Sequence, residues 1–203
     1  MSTSPLTIDH LVISKICGKR ILDVGCGYGK WGFLANKHFW NTKNGNAKEK
    51  PFVTGLDIYA PNLRSLAQYR IYDELVQGNA ASLPIQDKSF DTVLAIEIIE
   101  HLKQDEGYRL LKELERVATK CIIISTPNKK CFRKGIEDAN GFNAHETHVS
   151  AWKIKTFKAL GYRCYGVGVK LWPARFWGLT EFTYFSYRLP YISETLVCIK
   201  SMN

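Results

Sequence analysis

Short apolar runs alternate with amphipathic stretches along this chain of 203 residues. The apolar runs are rich in β-branched residues, which is typical of strands. The run at 121 to 127, CIIISTP, is continuously apolar, as expected for a strand buried on both faces of a sheet. The pattern predicts strands at residues 20–25, 51–58, 75–80, 89–99, 121–127, 163–170 and 194–201.

The stretches between these runs repeat apolar residues with helical spacing and predict helices at residues 30–39, 61–74, 105–118 and 148–162. Ser4 as a cap and Pro5 in the first turn predict a further helix within residues 1–19. Regular alternation of strand and helix indicates an α/β fold, with a doubly wound, mostly parallel sheet covered on both sides. We expect one domain over residues 1–203.

One segment departs from this alternation. Residues 171–191 are crowded with aromatic side chains and lie between the last two predicted strands. We expect this insert to cap the domain. A lid over the substrate, a dimer surface and a patch that contacts a membrane surface are the alternatives.

Composition narrows the class of protein. The chain is 45% hydrophobic and 23% charged, which is ordinary for a globular domain. No apolar run reaches the roughly 20 residues of a transmembrane helix, and the first residues lack the pattern of a secretory signal. We therefore expect a cytoplasmic protein, whose six cysteines, without CxxC spacing, are reduced. The net charge of +9 favours anionic partners such as RNA, although the basic residues are scattered and suit a solvated surface equally well.

A cluster of glycines marks the end of the first strand. In DVGCGYGK, Gly25, Gly27 and Gly29 would bring bare backbone to a helix N-terminus, where a polar or anionic group can approach closely. A nicotinamide dinucleotide fingerprint needs a small residue at position 30, and this chain has Lys30. The cluster therefore disfavours a dinucleotide site.

Polar residues follow the next two strands. Asp57 ends the second strand, where a carboxylate can accept hydrogen bonds from both hydroxyls of a ribose. Asn79 and the backbone of Ala80 follow the third strand and can face an adenine edge. Together with the glycines, they predict a nucleoside site.

The stretches DVGCGYG, GLDI, GNAASLPI and SFDTVLAIEIIEHL resemble the class I S-adenosylmethionine-dependent methyltransferases, from about residue 20 to 160. This resemblance implies a Rossmann-like, seven-stranded sheet whose last strand is antiparallel. It also implies S-adenosylmethionine as cofactor, with Asp23 and the three glycines around its methionine moiety. Asp57 would hold the ribose and Ile58 would pack on adenine. Asn79 and Ala80 would contact the adenine amino group, although many members have Asp at position 79.

Acidic and imidazole groups come together after the fourth strand. If residues 97 to 101 form a helical turn, Glu97, Glu100 and His101 lie on one face and can hold Mg²⁺ or Mn²⁺. His145 and His148 follow the fifth strand on the same rim and can add a ligand. The alternative is a site without metal, in which the Glu of the Glu-His pair contacts the amino group of the cofactor and the His caps the next helix. His101 or His148 would then be the candidate general base.

The same residues resemble two methyltransferase groups. RNA 3′-terminal 2′-O-methyltransferases have Glu-x-x-Glu-His, Ser-Thr-Pro-Asn and a His four residues before a Trp, as in Glu97 to His101, residues 125–128 and His148 to Trp152. Ubiquinone-pathway O-methyltransferases share the first element. After Asn128, KKCFR replaces the acidic stretch expected of the RNA group.

The sequence thus predicts an O-methyltransferase, with Glu97, His101 and His148 as catalytic residues and the aromatic insert as the acceptor wall. A small-molecule, lipid-like or sugar hydroxyl is the main expectation, and the 2′-hydroxyl of an RNA end is the alternative. A nicotinamide dehydrogenase, a silent RNA-binding module and an aminopropyl transferase are the rival classes.

Overall fold

A computed structural model describes residues 4–40, 50–128, 134–138, 141–169, 188 and 190–202 of the chain. The strands are β1 (Arg20–Val24), β2 (Phe52–Asp57), β3 (Glu74–Gln77), β4 (Phe90–Ile96), β5 (Ala118–Pro127), β6 (Ile136–Asp138), β7 (Gly141–Asn143), β8 (Arg163–Val169) and β9 (Ser193–Ser201). The α-helices are α1 (Asp9–Ile13), α2 (Lys30–Trp40), α3 (Ala60–Ala67), α4 (Gln104–Val117) and α5 (Ile154–Ala159).

Seven strands form one sheet in the order β3-β2-β1-β4-β5-β9-β8. The first five strands pair in parallel, whereas β9 runs antiparallel to both β5 and β8. This topology confirms the predicted α/β fold and its antiparallel last strand. Chain order reverses between β1 and β4, and a doubly wound sheet opens a crevice for ligands at that point.

Alternate residues of each central strand pack into two separate cores. Val93 and Ala95 of β4 point to the side covered by α4 and α5, whereas Leu94 and Ile96 point to the side of α1, α2 and α3. The same alternation in the other strands explains their continuously apolar sequence, because both faces are buried. The sheet thereby holds the carboxyl ends of β1, β2 and β4 at one edge.

Two predicted helices are shorter in the structure. The helix expected at 61–74 ends at Ala67, and Arg70 then takes a left-handed φ of 50°, which no helix continues. The helix expected at 148–162 is confined to Ile154–Ala159, because the backbone before it is bound to a neighbouring loop.

Several shorter segments also differ from the sequence prediction. β4 ends at Ile96 rather than 99 and is followed by a 3₁₀ turn, Ile99–His101. β6 and β7 form a hairpin that was not predicted. The N-terminal segment is a 3₁₀ turn at Leu6–Ile8 followed by α1, and Pro5, not Ser4, occupies the cap position without a side-chain cap bond.

Some predictions fall outside the described residues. Most of the aromatic insert at 171–191 is among them, as is Cys131, whereas the other five cysteines are free thiols. The single domain over 1–203 stays a prediction. None of the helices in the described part of the chain is long and apolar enough to cross a membrane.

Candidate active site

The glycine cluster forms a tight turn between β1 and α2. The amides of Gly25 and Cys26 both donate to the carbonyl of Leu56, at 2.7 and 2.9 Å, which ties the turn to β2. Gly25, Gly27 and Gly29 all have positive φ, of 73°, 50° and 83°. A Cβ on Gly27 would meet only the Gly25 carbonyl, at 3.9 Å, so the space above Gly27 is open to a ligand.

Asp57 lies beside this open glycine, at the end of β2. Its Oδ2 accepts a hydrogen bond from the Gly27 amide and its Oδ1 accepts one from the Tyr59 amide, both at 2.8 Å. Each carboxylate oxygen keeps acceptor capacity for a further donor, as binding of a ribose diol requires. α3 begins at Ala60 with Tyr59 as its cap residue, so Asp57 is not the helix cap.

A crevice of about 610 Å³, partly open to solvent, runs along this edge of the sheet. Ile58 is 40% exposed there and offers an apolar face to a flat ring. The described wall of the crevice includes two sets of predicted residues. The predicted cofactor residues are Gly25, Gly27, Asp57 and Ile58, and the predicted catalytic residues are Glu97 and His101. The same wall includes residues that the sequence analysis did not select: Ser4, Cys26, Tyr28, Lys30, Trp31, Ile96, Ile98, Asn143 and Glu146.

Four other predicted cofactor residues lie outside the described wall of the crevice. Asp23 is buried under the glycine turn, and the Gly29 amide closes the turn by donating a hydrogen bond to the Cys26 carbonyl. Asn79 is exposed, and its Oδ1 accepts from the Ala81 amide at 2.8 Å. Ala80 is buried next to it. Their contacts with a cofactor stay predictions.

Glu97 takes a strained conformation at the end of β4. Its φ is 54°, in the left-handed region that costs a non-glycine residue about 1 to 2 kcal/mol. The Ser125 hydroxyl donates to Glu97 Oε1 at 2.7 Å and accepts from the Glu97 amide at 3.1 Å. Backbone strain of this kind concentrates at functional sites, and here it turns the Glu97 side chain into the crevice.

Glu100, His101 and His148 form a compact group next to the crevice. Their ligand atoms all lie within 4.8 Å of one another, and the two imidazole rings meet edge to face. Glu100 is only 2% exposed, and neither of its carboxylate oxygens has a partner with ordinary hydrogen-bond geometry among the described residues. Glu97 and His145, which were also candidate ligands, lie outside this group and line the crevice.

The surroundings of Glu100 disfavour an isolated negative charge. Burial raises the pKa of the Glu100 carboxyl well above its ordinary value, and the charge of Glu97 raises it further. Both effects favour the neutral carboxyl, and a positive charge beside it would favour the ionised form. An oxygen and nitrogen donor set with a buried, unsatisfied carboxylate fits a divalent cation such as Mn²⁺ or Mg²⁺.

Backbone hydrogen bonds bring His148 to His101. The amides of Val149 and Ser150 both donate to the Glu100 carbonyl, at 2.9 and 3.1 Å, which replaces the helical bonding predicted for this segment. The indole of Trp152, which is buried, donates to the Ile99 carbonyl at 3.2 Å. The spacing of four residues between His148 and Trp152 therefore has a structural cause.

The same segment fixes the tautomer of His101. Nδ1 of His101 lies 3.2 Å from the Thr147 carbonyl, which can only accept, so Nδ1 carries a proton and the lone pair of a neutral ring is on Nε2. Glu146 Oε2 lies 4.0 Å from this Nε2. The sequence analysis missed Glu146, and its position two residues before His148 was the available signal.

Comparison with known proteins fits this geometry. A family model described as a methyltransferase domain matches residues 22–121. A provisionally assigned methyltransferase of Encephalitozoon cuniculi is 28% identical over 152 residues, 72% of this chain and 63% of its own length. The solved methyltransferase domain of bacterial CtHen1-C superposes with a TM-score of 0.60 at 19% identity, covering 97% of both chains, which shows the shared fold. Residues 22–121 therefore match a methyltransferase domain, and the fold is that of the S-adenosylmethionine-dependent methyltransferases.

Relatives with more specific names match over shorter stretches. A fatty-acid O-methyltransferase of Mycolicibacterium smegmatis is 35% identical over 82 residues, 39% of this chain and 27% of that protein. A demethylmenaquinone methyltransferase of Oceanobacillus iheyensis is 30% identical over 128 residues, 58% of this chain and 49% of that protein. The chain spans about three fifths of the length of the two relatives that match most of it. The match to a methyltransferase domain implies S-adenosylmethionine as cofactor and supports methyl transfer over the rival dehydrogenase and aminopropyl transferase interpretations.

Proposed function

We propose that this methyltransferase transfers the methyl group of S-adenosylmethionine to a hydroxyl oxygen, with a divalent cation held by Glu100, His101 and His148. The observation that carries the proposal is the buried, unsatisfied carboxylate of Glu100 beside two imidazoles. His101 belongs both to this group and to the crevice wall, so an acceptor oxygen bound there would lie beside the reacting methyl group.

In the proposed reaction the bond between the methyl carbon and the sulfonium breaks as the bond to the acceptor oxygen forms. The sulfonium becomes a neutral thioether, and the hydroxyl proton passes to water in the solvent-open crevice. The glycine turn and Asp57 align the cofactor, and alignment of two bound reactants can supply about 7 to 11 kcal/mol of the barrier. A bound cation would lower the pKa of the acceptor hydroxyl. The Thr147 carbonyl favours the His101 tautomer that keeps Nε2 available as a ligand or base.

Two acceptor classes agree with this site. A lipid-like, sugar or other small-molecule hydroxyl is our main proposal, supported by the likeness to a fatty-acid O-methyltransferase. The 2′-hydroxyl of an RNA end is the alternative, favoured by the clustering of Glu100, His101 and His148 and by the net charge of +9. Incubation with radiolabelled cofactor and separate RNA, lipid and metabolite pools distinguishes the two classes.

Binding of Mn²⁺ alone tests the cation site without an acceptor. Electron paramagnetic resonance should show one bound Mn²⁺ for each wild-type chain. Glu100→Gln should weaken binding at least tenfold because it removes the only carboxylate of the described group. Glu194→Gln, an exposed position on β9, is the matched control and should bind like wild type.

Either of two results would contradict the cation site. One is equal Mn²⁺ affinity for wild type and Glu100→Gln, and the other is methyl transfer that survives exhaustive chelation. Nε2 of His101 or the imidazole of His148 would then be the general base that accepts the hydroxyl proton.

A further inference from the structure

Tyr72 fills a slot beneath the glycine turn. It follows α3 and is only 8% exposed. A Cβ on Gly32 of α2 would approach the Tyr72 ring to 2.4 Å, and one on Gly55 of β2 would approach it to 3.0 Å. Two elements therefore lack side chains at the places where this ring inserts. A slot this tight fixes the position of the Tyr72 hydroxyl.

That hydroxyl connects two parts of the cofactor site. It donates to Asp23 Oδ2 at 2.6 Å, and it accepts a hydrogen bond from the Gly32 amide at 3.3 Å. Asp23 is 1% exposed on β1, two residues before Gly25, and its Oδ1 has no hydrogen-bond partner among the described residues. Tyr72 thus supplies the side-chain hydrogen bond that the structure shows for this buried carboxylate.

We propose that Tyr72 is a positioning residue of the cofactor site, which holds the Asp23 carboxylate under the glycine turn so that its negative charge faces the cationic end of S-adenosylmethionine. The cofactor carries a sulfonium and an ammonium group, and both are attracted by a carboxylate in a poorly solvated region. This inference rests on the cofactor assignment alone and is independent of the acceptor and of the cation site.

The Tyr72 hydroxyl favours the ionised form of Asp23, whereas burial and the charge of Asp57 favour the neutral form. Burial raises the pKa of Asp23 to about 7, and the hydrogen bond from Tyr72 opposes that rise. The described titratable groups next to Asp23 are Tyr72, Cys26 and Asp57, and burial raises the pKa of both Tyr72 and Cys26, which keeps them neutral. The charge of Asp57 raises the pKa of Asp23 further.

The sign of the pH effect follows from this balance. A cationic cofactor binds the ionised form of Asp23 better, so wild-type affinity should rise as the pH increases through about 7. Tyr72→Phe still fills the slot but removes the hydrogen bond that favours ionisation. We expect the rise in affinity to move upward by about one pH unit, with affinity about threefold weaker at pH 7.5 and about tenfold weaker at pH 6.

Calorimetric titration of the full chain with S-adenosylmethionine between pH 6 and 9 tests this role. Asp23→Asn should remove the rise in cofactor affinity near pH 7 altogether. The matched control is Tyr69→Phe, which changes a tyrosine that is 68% exposed and should retain the wild-type profile. Because the ammonium group of the cofactor titrates equally in every sample, the difference between variants isolates Asp23.

The positioning role is supported if the rise in cofactor affinity lies at higher pH in Tyr72→Phe and is absent in Asp23→Asn. A Tyr72→Phe profile that superposes on wild type, or one that is weaker by the same factor at every pH, would overturn it. If Tyr72→Phe does not fold by circular dichroism, a wild-type rise in affinity retained in Asp23→Asn would overturn it equally. Wild-type protein that binds no cofactor at any pH would instead contradict the cofactor assignment.

Discussion

Glu97 combines a strained backbone with a place on the crevice wall. Its left-handed backbone lies between β4 and the 3₁₀ turn that carries Glu100 and His101. Ser125 contacts both the amide and the carboxylate of Glu97, which holds the strained conformation in place. A glycine would take this backbone conformation without strain, yet the chain has a carboxylate there.

Two substitutions at this position should reverse the usual order of stability. Glu97→Ala and Glu97→Gly both remove the carboxylate, but only glycine relieves the left-handed backbone. We expect Glu97→Gly to be more stable than Glu97→Ala by about 1 kcal/mol in urea denaturation. The ordinary order, with alanine the more stable, would show that the strain is absent in solution. Both variants should lose methyl transfer.

Residues near the glycine turn could be predicted from sequence in part only. Asp57 and Gly27 could be paired in advance, because the carboxyl ends of adjacent parallel strands share one edge of the sheet. Tyr72 could not, since its slot depends on Gly32 and Gly55, which come together only in the folded chain. The left-handed backbone of Glu97 also had no local signal, because glutamate has no preference for that region.

At the scale of elements, apolar periodicity located the strands and α4 but missed features set by tertiary contacts. The first six residues of the helix predicted at 148–162 are not helical, because two of their backbone amides donate to the Glu100 carbonyl instead. The hairpin of β6 and β7 consists of three-residue strands, too short for a period to appear in the sequence. The hairpin ends at Asn143, which lies on the crevice wall.

Arg116 joins α4 to the segment between β3 and β4. Its guanidinium donates to the carbonyls of Leu83 and Ile85, at 3.0 and 2.7 Å, and it pairs with Asp87 at 2.6 Å. Glu113 completes the arrangement by accepting from the Leu83 amide at 2.8 Å. The planar fork of arginine reaches all these acceptors at once, which a lysine ammonium cannot do.

Arg116→Lys should therefore destabilise the fold by about 1 to 2 kcal/mol in urea denaturation at pH 7. The hydrogen bond from Arg116 lowers the pKa of the Glu113 carboxyl below its ordinary value. This stabilisation is present above the ordinary pKa and is lost as the pH falls through the lowered one. The difference in the free energy of unfolding between wild type and Arg116→Lys should become smaller in acid. A difference that is constant with pH would contradict the interaction between Arg116 and the Glu113 carboxylate.

At the scale of the whole molecule, the order of the seven strands determines where chemistry can occur. The reversal between β1 and β4 places the glycine turn beside Glu97 and His101, although some 70 residues separate them in sequence. Alternation of strands and helices made this architecture predictable from sequence. The acceptor was not predictable in the same way, because acceptor contacts depend on loops, and most of the aromatic insert lies outside the described residues.

We expect S-adenosylmethionine to bind in the crevice that the glycine turn and Asp57 line together. Calorimetry of wild type, Asp57→Ala and Asp57→Asn at one pH tests it most directly, with Asp105→Ala, at an exposed position of α4, as the control. We expect wild type and control to bind equally and Asp57→Ala to bind about 10- to 100-fold more weakly, with Asp57→Asn between them because it retains one acceptor. Unchanged affinity in Asp57→Ala would contradict the account.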